Sequence, residues 1–230
     1  MYQAIVVAAG RGSRMGGAQN KVLLPLCGVP LIVHTLRVFE QAAECLGIVL
    51  VTKEQEIPIF RRLVEAEQLT KVYALTSGGA ERQQSVAHGL QHVTGPADQV
   101  VLIHDGARPF VTAGEAAAVT ERATVVGAAV LAVPVKDTIK MVEEGLVKHT
   151  LSRESLWAIQ TPQAFRLSVI RAAHRQGAEQ HVTVTDDAAL VEHAGWQVAV
   201  VEGSYRNIKL TTPEDWLVAE QMLKKEGKRL

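Results

Sequence analysis

Short apolar runs alternate with amphipathic stretches along the chain as far as Val133. The runs are too short for helices of useful length, and several end at or near glycine, so they predict buried strands. These predicted strands cover residues 3–9, 47–52, 71–76, 99–104 and 127–133. The stretches between them have helical apolar spacing and predict helices at 30–43, 55–67, 80–93 and 113–125. Such an alternation predicts an α/β fold: a Rossmann-like, mostly parallel sheet with helices on both faces.

The pattern changes after the fifth predicted strand. Residues 134–152 alternate polar and apolar positions, with a turn signal at Glu144-Gly145, and this predicts a β-hairpin. The hairpin has few large apolar residues, so we expect it to project from the sheet as an arm. A second subunit is one candidate surface for the arm to lie on, and a solvated hairpin in a monomer is the alternative.

The remainder of the chain returns to helices and strands. The pattern predicts helices near 167–177, 186–194 and 213–226, and strands at 197–201 and 207–210. Thr212 before Pro213 is typical of a helix start, with threonine as N-cap and proline in the first turn. With no internal repeat and no linker in the pattern, the chain is predicted to be a single domain over 1–230 with the arm inserted at about 134–152.

Composition narrows the possible partners. The 230 residues are 47% hydrophobic, and 24 Lys and Arg balance 24 Asp and Glu. This neutrality gives no support for nucleic acid or an anionic membrane as partner. Cys27 and Cys45 lack metal-ligand spacing and are interpreted as reduced thiols. Since no apolar segment reaches the ~20 residues of a membrane span and no charged leader precedes the first strand, we expect a cytoplasmic protein.

The stretch from Ile5 to Lys21 is the strongest candidate for binding a phosphate group. It runs from a predicted strand into a loop rich in glycine, where backbone N–H groups can cradle phosphate oxygens. Arg14 and Lys21 add positive charge, which would suit negative charge building up on phosphorus. The loop matches neither the P-loop pattern nor the dinucleotide glycine spacing. Solvated loop charges are the alternative interpretation of the two cations.

Ligands of parallel sheets bind at the carboxyl ends of the strands, and polar residues follow these ends here. Asp105 could hold Mg²⁺ bridging phosphates, or it could simply form a turn before Gly106. The glycine turn at 78–85 could present N–H groups and a hydroxyl to a base, or it could be an ordinary helix cap. Residues 161–163 are interpreted as a polar cluster between elements, and Arg153 and Lys209, each taken alone, would be surface charges.

Several motifs together resemble one enzyme family. AAGRGSRM followed by Lys21 is shared widely among nucleotidyltransferases. With GGAERQQSV, HDGARPF, VPVKDT, LWAIQTPQAF, TDDA and NIKLTTPED, the chain resembles the 2-C-methyl-D-erythritol 4-phosphate cytidylyltransferases from about residue 3 to 220. Ribitol-5-phosphate cytidylyltransferases and a non-catalytic nucleotide-binding protein on the same fold are the alternatives. Asn20 replaces a proline found in many relatives, and Arg206 an acid found in some.

The resemblance implies a reaction and a set of site residues. CTP and the sugar-alcohol phosphate 2-C-methyl-D-erythritol 4-phosphate would give CDP-methylerythritol and pyrophosphate, with Mg²⁺ or another divalent cation as cofactor. Arg14 and Lys21 would be catalytic, and Asp105 would lie at the metal. The implied CTP-binding residues are Ala8, Ala9, Gly10, Gly79, Ser85, Asp105 and Gly106. The implied substrate-binding residues are Arg108, Thr138, Arg153, Thr161, Thr185 and Lys209. The family resemblance also implies a homodimer through the arm, in which the partner completes part of this pocket.

Overall fold

The computed structural model describes residues 1–10 and 20–225. Its strands, in chain order, are β1 (Tyr2–Val7), β2 (Pro25–Leu26), β3 (Val29–Pro30), β4 (Cys45–Thr52), β5 (Val72–Ser77), β6 (Val100–Asp105), β7 (Ala128–Pro134), β8 (Lys140–Glu143), β9 (Leu146–Thr150), β10 (Trp157–Arg166) and β11 (Ala199–Glu202). Its α-helices are α1 (Leu31–Gln41), α2 (Ile57–Ala66), α3 (Arg82–His92), α4 (Ala113–Val126), α5 (Leu167–Glu179), α6 (Asp187–His193) and α7 (Pro213–Lys225). None of the helices within these ranges is long and apolar enough to cross a membrane.

A seven-stranded sheet forms the centre of the fold, in the order β11-β7-β10-β6-β1-β4-β5. The pairs β1–β4, β1–β6, β4–β5 and β7–β11 are parallel, and only β10 runs antiparallel to its neighbours β6 and β7 in this sheet. The predicted α/β fold with a mostly parallel sheet is therefore confirmed. Because six of the strands share one direction, their carboxyl ends lie at the same edge of the sheet.

Helices cover both faces of this sheet and bury two apolar cores. Ala4 and Val6 of β1 pack into the core under α1, α2, α4 and α7. Ile5 packs into the core on the other face, under α3, α5 and α6. A strand covered on both faces has no solvent-facing positions, which explains why the strand sequences are continuous apolar runs rather than alternating ones.

Two predictions near the end of the chain are wrong. Residues 207–210, predicted as a strand, have no regular structure; the Leu210 N–H donates to the Ala107 carbonyl (2.9 Å) and so holds this segment beside the loop after β6. Residues 161–163, interpreted as a polar cluster between elements, lie inside β10. The strand was hidden by its buried polar residues and by Pro162, which falls where the register with β7 shifts.

The predicted arm is present as a separate two-stranded sheet of β8 and β9. Its turn is Glu144-Gly145, with φ of 51° and 78°, the positive values that tight hairpin turns require. Every residue of both strands is exposed, including the apolar Val142, Leu146 and Val147. The hairpin therefore contributes nothing to the two cores of this chain.

Candidate active site

The carboxyl ends of β1, β4, β5 and β6 surround a cavity of about 630 Å³. This convergence is the one expected for a parallel sheet. Its wall includes backbone after β1, Lys53 after β4 and the glycine turn after β5. Of the residues that the sequence suggested for a site, those lining it are Ala8, Ala9, Gly10, Lys21, Gly79, Ser85, Asp105 and Lys209.

A second cavity, of about 320 Å³, adjoins the first. The predicted residues Arg108, Thr161 and Thr185 line it, together with carboxylate, amide and ammonium groups of other residues. Three residues line both cavities: Arg82, Asp105 and Lys209. The two cavities therefore share one charged wall.

Asp105 is the centre of this shared wall. It is the last residue of β6 and is buried, with Oδ1 3.1 Å from Nε of Arg82 and Oδ2 2.7 Å from Nζ of Lys209. Burial alone would raise the pKa of Asp105, but Arg82 and Lys209 hold it well below its usual value. The carboxyl group is thus ionised and keeps both cations at the boundary of the cavities.

Arg82 is the residue that sequence reasoning missed. Its Nη1 lies 2.6 Å from Oδ2 of Asp187, so its guanidinium bridges Asp187 and Asp105. Burial lowers the pKa of Arg82, but the carboxylates of Asp187 and Asp105 together raise it above its usual value. A weak signal was present in the sequence: Arg82 lies in the first turn of the helix predicted at 80–93, where the helix dipole disfavours a cation.

The glycine turn between β5 and α3 packs against the backbone after β1. A Cβ on Gly78 would lie 2.6 Å from both the Ala9 Cβ and the Ser85 Oγ, so only glycine fits there. The Ser85 Oγ accepts from the Gly79 N–H and donates to the Glu81 carbonyl, each at 3.1 Å. Ser85 thus stabilises the turn from within the cavity wall, and its contact with a nucleotide stays a prediction.

A chain of hydrogen bonds fixes the loop that follows Asp105. The Asp105 N–H donates to the Thr161 Oγ (3.0 Å), which lies 3.1 Å from Nδ1 of His104. The other ring nitrogen, Nε2, is 3.1 Å from the Arg108 carbonyl, which can only accept, so Nε2 carries the proton and Nδ1 accepts from Thr161. Burial lowers the pKa of His104 to about 4 and keeps its ring neutral. His104 and Thr161 therefore position the loop.

Asn20 holds the segment that carries Lys21. Its Nδ2 donates to the Ala8 carbonyl and to Oε2 of Glu56, both at 2.7 Å, and its Oδ1 accepts from the Val22 N–H (3.3 Å). A proline at this position would have no side-chain donor for these bonds. Lys21 then donates from Nζ to the Leu210 carbonyl (2.7 Å) at the rim of the larger cavity.

Among the described residues, three predicted site residues line neither cavity: Gly106, Thr138 and Arg153. Thr138 and Arg153 lie at the base of the arm, where Arg153 Nη1 donates to the Lys136 carbonyl (2.8 Å). Gly106 instead lets the loop after β6 pack closely, since a Cβ would lie 2.7 Å from the Ile32 Cδ1. Arg14 falls in 11–19, outside the described residues.

Asp105 is also the candidate ligand for a divalent cation. Within residues 1–10 and 20–225, no group of three or more His, Cys, Asp and Glu side chains is placed to hold a metal. Each oxygen of Asp105 already faces a cation, so the carboxylate can offer a metal only its remaining lone pairs. The residues therefore fit a cation such as Mg²⁺ only if a bound polyphosphate supplies most of its ligands.

A doubly covered α/β sheet with a charged cleft at its carboxyl edge is an arrangement that nucleotide-binding α/β enzymes use. The family model of 2-C-methyl-D-erythritol 4-phosphate cytidylyltransferase matches residues 2–225. The chain belongs to this family, whose members are cytidylyltransferases.

Individual relatives agree with the family match. The chain is 53% identical to the Geobacillus kaustophilus 2-C-methyl-D-erythritol 4-phosphate cytidylyltransferase, over 96% of each chain. It is 51% identical to that of Bacillus velezensis, over 98% of this chain and 97% of the relative. The crystal structure of 4-diphosphocytidyl-2C-methyl-D-erythritol synthase from Anaerococcus prevotii superposes with a TM-score of 0.82 at 30% identity, covering 97% of this chain and 96% of that one. The similarity thus extends over nearly the whole chain.

We expect the free energy of unfolding to fall in mild acid because His104 is neutral in the fold. Its pKa is about 4, against 6.5 for an ordinary histidine, so between these values the unfolded chain binds a proton that the folded chain excludes. Stability therefore decreases as pH falls through this window, by about 2 kcal/mol between pH 8 and pH 5 from this group. Urea denaturation of the wild type and of His104→Gln at both pH values measures it. An equal loss in the two proteins would contradict the assignment.

Proposed function

We propose that this chain transfers the cytidylyl group of CTP to 2-C-methyl-D-erythritol 4-phosphate and releases pyrophosphate. The observation that supports this most is the wall of Arg82, Asp105 and Lys209 shared by two adjoining cavities. A transfer between two phosphate-bearing molecules needs two subsites that meet at a cationic boundary. Membership of the cytidylyltransferase family supplies the identity of the two molecules.

The larger cavity suits the nucleotide. Backbone from Ala8 to Gly10 and the turn at Gly78-Gly79 line it, and both allow a ligand to approach main-chain N–H groups closely. The smaller cavity suits the sugar phosphate, because hydroxyl groups of Thr161 and Thr185 could meet its alcohols while Arg108 and Lys209 face its phosphate. Asp105 lies where the two subsites meet, since it lines both cavities.

Catalysis in this arrangement consists of positioning and charge stabilisation. An oxygen of the sugar phosphate attacks the α-phosphorus of CTP in line, a new P–O bond forms, and the bond to the β-phosphate oxygen breaks, so pyrophosphate leaves with the electron pair. The attacking phosphate is already ionised at neutral pH and needs no general base, in keeping with the neutral, buried His104. Lys21 and Arg14 would neutralise the charge that builds up on the α-phosphate.

We also propose that the enzyme uses Mg²⁺ or another divalent cation. When bound, the ion would neutralise charge on the triphosphate. Asp105 could add an oxygen to it, at the position where Lys209 now lies 2.7 Å away. The ionised state of Asp105 at neutral pH supports this role.

A homodimer through the arm is part of the proposal. Val142, Leu146 and Val147 are exposed apolar residues on the arm of this chain, and a second copy would cover them. Thr138 and Arg153 at the base of the arm line neither cavity of their own chain. Their predicted contact with the sugar phosphate would then be made in the partner's site. A cytoplasmic location remains our expectation.

Pyrophosphate release from CTP tests the proposed reaction directly. We expect release with 2-C-methyl-D-erythritol 4-phosphate and much slower release with ribitol 5-phosphate, each supplied separately with CTP and Mg²⁺. Faster release with ribitol 5-phosphate would instead indicate that the chain is a ribitol-5-phosphate cytidylyltransferase. Release with neither would favour a binding protein on this fold.

Lys21→Ala should lower turnover by a factor of ~10²–10³, because it removes a preorganised positive charge at the reacting phosphate. Lys71→Ala is a matched control: Lys71 also donates from Nζ to a backbone carbonyl, that of Ala42 at 2.6 Å, but away from both cavities. Steady-state pyrophosphate release at saturating substrates measures both variants. Near-normal turnover of Lys21→Ala, or an equal loss in the control, would remove the catalytic assignment.

A further inference from the structure

Asp187 is a buried carboxylate behind the wall that the two cavities share. It begins α6, its side chain is 1% exposed, and it lines neither cavity. The Asp187 N–H donates to Oε1 of Gln163 in β10 (3.2 Å), which fixes this end of the helix to the sheet. The residue is therefore rigidly held but cannot touch a ligand in either cavity.

Four side chains of alternating charge run from Asp187 to the edge of the smaller cavity. Asp187 Oδ2 is 2.6 Å from Arg82 Nη1, Arg82 Nε is 3.1 Å from Asp105 Oδ1, and Asp105 Oδ2 is 2.7 Å from Lys209 Nζ. The last three residues line both cavities, whereas Asp187 anchors the series from inside the protein.

The arginine in this series is held at two different nitrogen atoms. A planar guanidinium bonded to carboxylates through Nε and Nη1 has its orientation fixed, which a single ion pair would not achieve. Without Asp187, Arg82 and Lys209 would share the single carboxylate of Asp105, whose Oδ2 also lies 4.0 Å from Arg108 Nε. The cations would then repel one another and lose their fixed places.

Stability alone is a poor explanation for this buried pair. The cost of removing both charges from water commonly cancels most of their attraction, so buried ion pairs add little net stability. Burial raises the pKa of Asp187, but Arg82 and His174 lower it below its usual value, so the carboxylate is ionised at neutral pH. A permanent, immobile negative charge at this place is suited to orienting cations.

We propose that Asp187 is a positioning residue: through Arg82 it holds Asp105 and Lys209 in the orientation that receives the phosphate of the second substrate. This inference rests on the proposed function, which names that phosphate. The smaller cavity depends on it most, because Arg82, Asp105, Arg108 and Lys209 make up much of its wall. The larger cavity has many further residues from β1, β4 and β5.

His174 provides a matched control for the test. Its Nε2 lies 3.6 Å from Oδ1 of Asp187, so it faces the same carboxylate from α5 rather than from a cavity wall. His174→Gln disturbs the surroundings of Asp187 and leaves the contact with Arg82 in place. Asp187→Asn removes the charge that Arg82 requires.

Steady-state kinetics and calorimetry separate positioning from general destabilisation. We expect Asp187→Asn to raise the KM for 2-C-methyl-D-erythritol 4-phosphate about 10–100-fold, as loss of supporting contacts typically does. The Kd for CTP should stay within about threefold, and His174→Gln should change neither value. An unchanged KM in Asp187→Asn, or the same change in His174→Gln, would overturn the proposal.

A double variant tests whether Asp187 acts through Arg82. If it does, the double variant Arg82→Gln/Asp187→Asn raises the KM for the sugar phosphate no more than Arg82→Gln alone does. Increases in KM that multiply in the double variant would overturn the link between the two residues. Should Asp187→Asn fail to fold, Arg82→Lys keeps the charge but loses the two-nitrogen fork and should raise the same KM; no change would overturn the proposal.

Calorimetric titration with inorganic phosphate keeps this inference separate from the proposed function. We expect weaker phosphate binding in Asp187→Asn and unchanged binding in His174→Gln, whichever sugar phosphate the wild type accepts. A wild type that releases no pyrophosphate would defeat the proposed function only. Equal phosphate binding in the wild type and Asp187→Asn would defeat the positioning role.

Discussion

The site depends on the ionised carboxylate of Asp105 at the carboxyl end of β6. A buried carboxylate is costly unless cations and hydrogen bonds compensate it, and here Arg82 and Lys209 do so at 3.1 and 2.7 Å. Arg82 lies in the first half of the chain and Lys209 near its C-terminal end, yet both reach the same strand end. Their ion pairs join two cavities, one for each proposed substrate, into a single site.

The antiparallel strand β10 makes this arrangement possible. It lies between β6 and β7, so its polar residues reach loops at both sides of the smaller cavity. Thr161 accepts from the Asp105 N–H, Gln160 donates to the Ser204 carbonyl, and Gln163 accepts from the Asp187 N–H. A central strand with buried polar side chains thus connects the loops that carry the charged wall. The apolar strands on either side supply the rigid base.

Local signals in the sequence predicted much of the fold, whereas long-range contacts could not be predicted. The helix start at Thr212 was readable because its partner Asp215 is three residues away; its hydroxyl accepts from the Asp215 N–H at 3.3 Å. Asp105 was predicted as a site residue because it follows a strand, and Lys209 because the chain resembles the cytidylyltransferase family. Arg82 was not predicted as a site residue because its partners, Asp105 and Asp187, lie 23 and 105 residues further along the chain. Residues 161–163 were interpreted as lying between elements, not as a strand, because their polar side chains find partners only in other elements.

The most direct test of this account is turnover of Asp105→Asn. The substitution keeps the size of the side chain but removes the charge that Arg82 and Lys209 share. With CTP, Mg²⁺ and 2-C-methyl-D-erythritol 4-phosphate all saturating, we predict that pyrophosphate release falls ~10²-fold or more while circular dichroism shows the fold retained. Turnover close to that of the wild type would contradict the central role of this carboxylate.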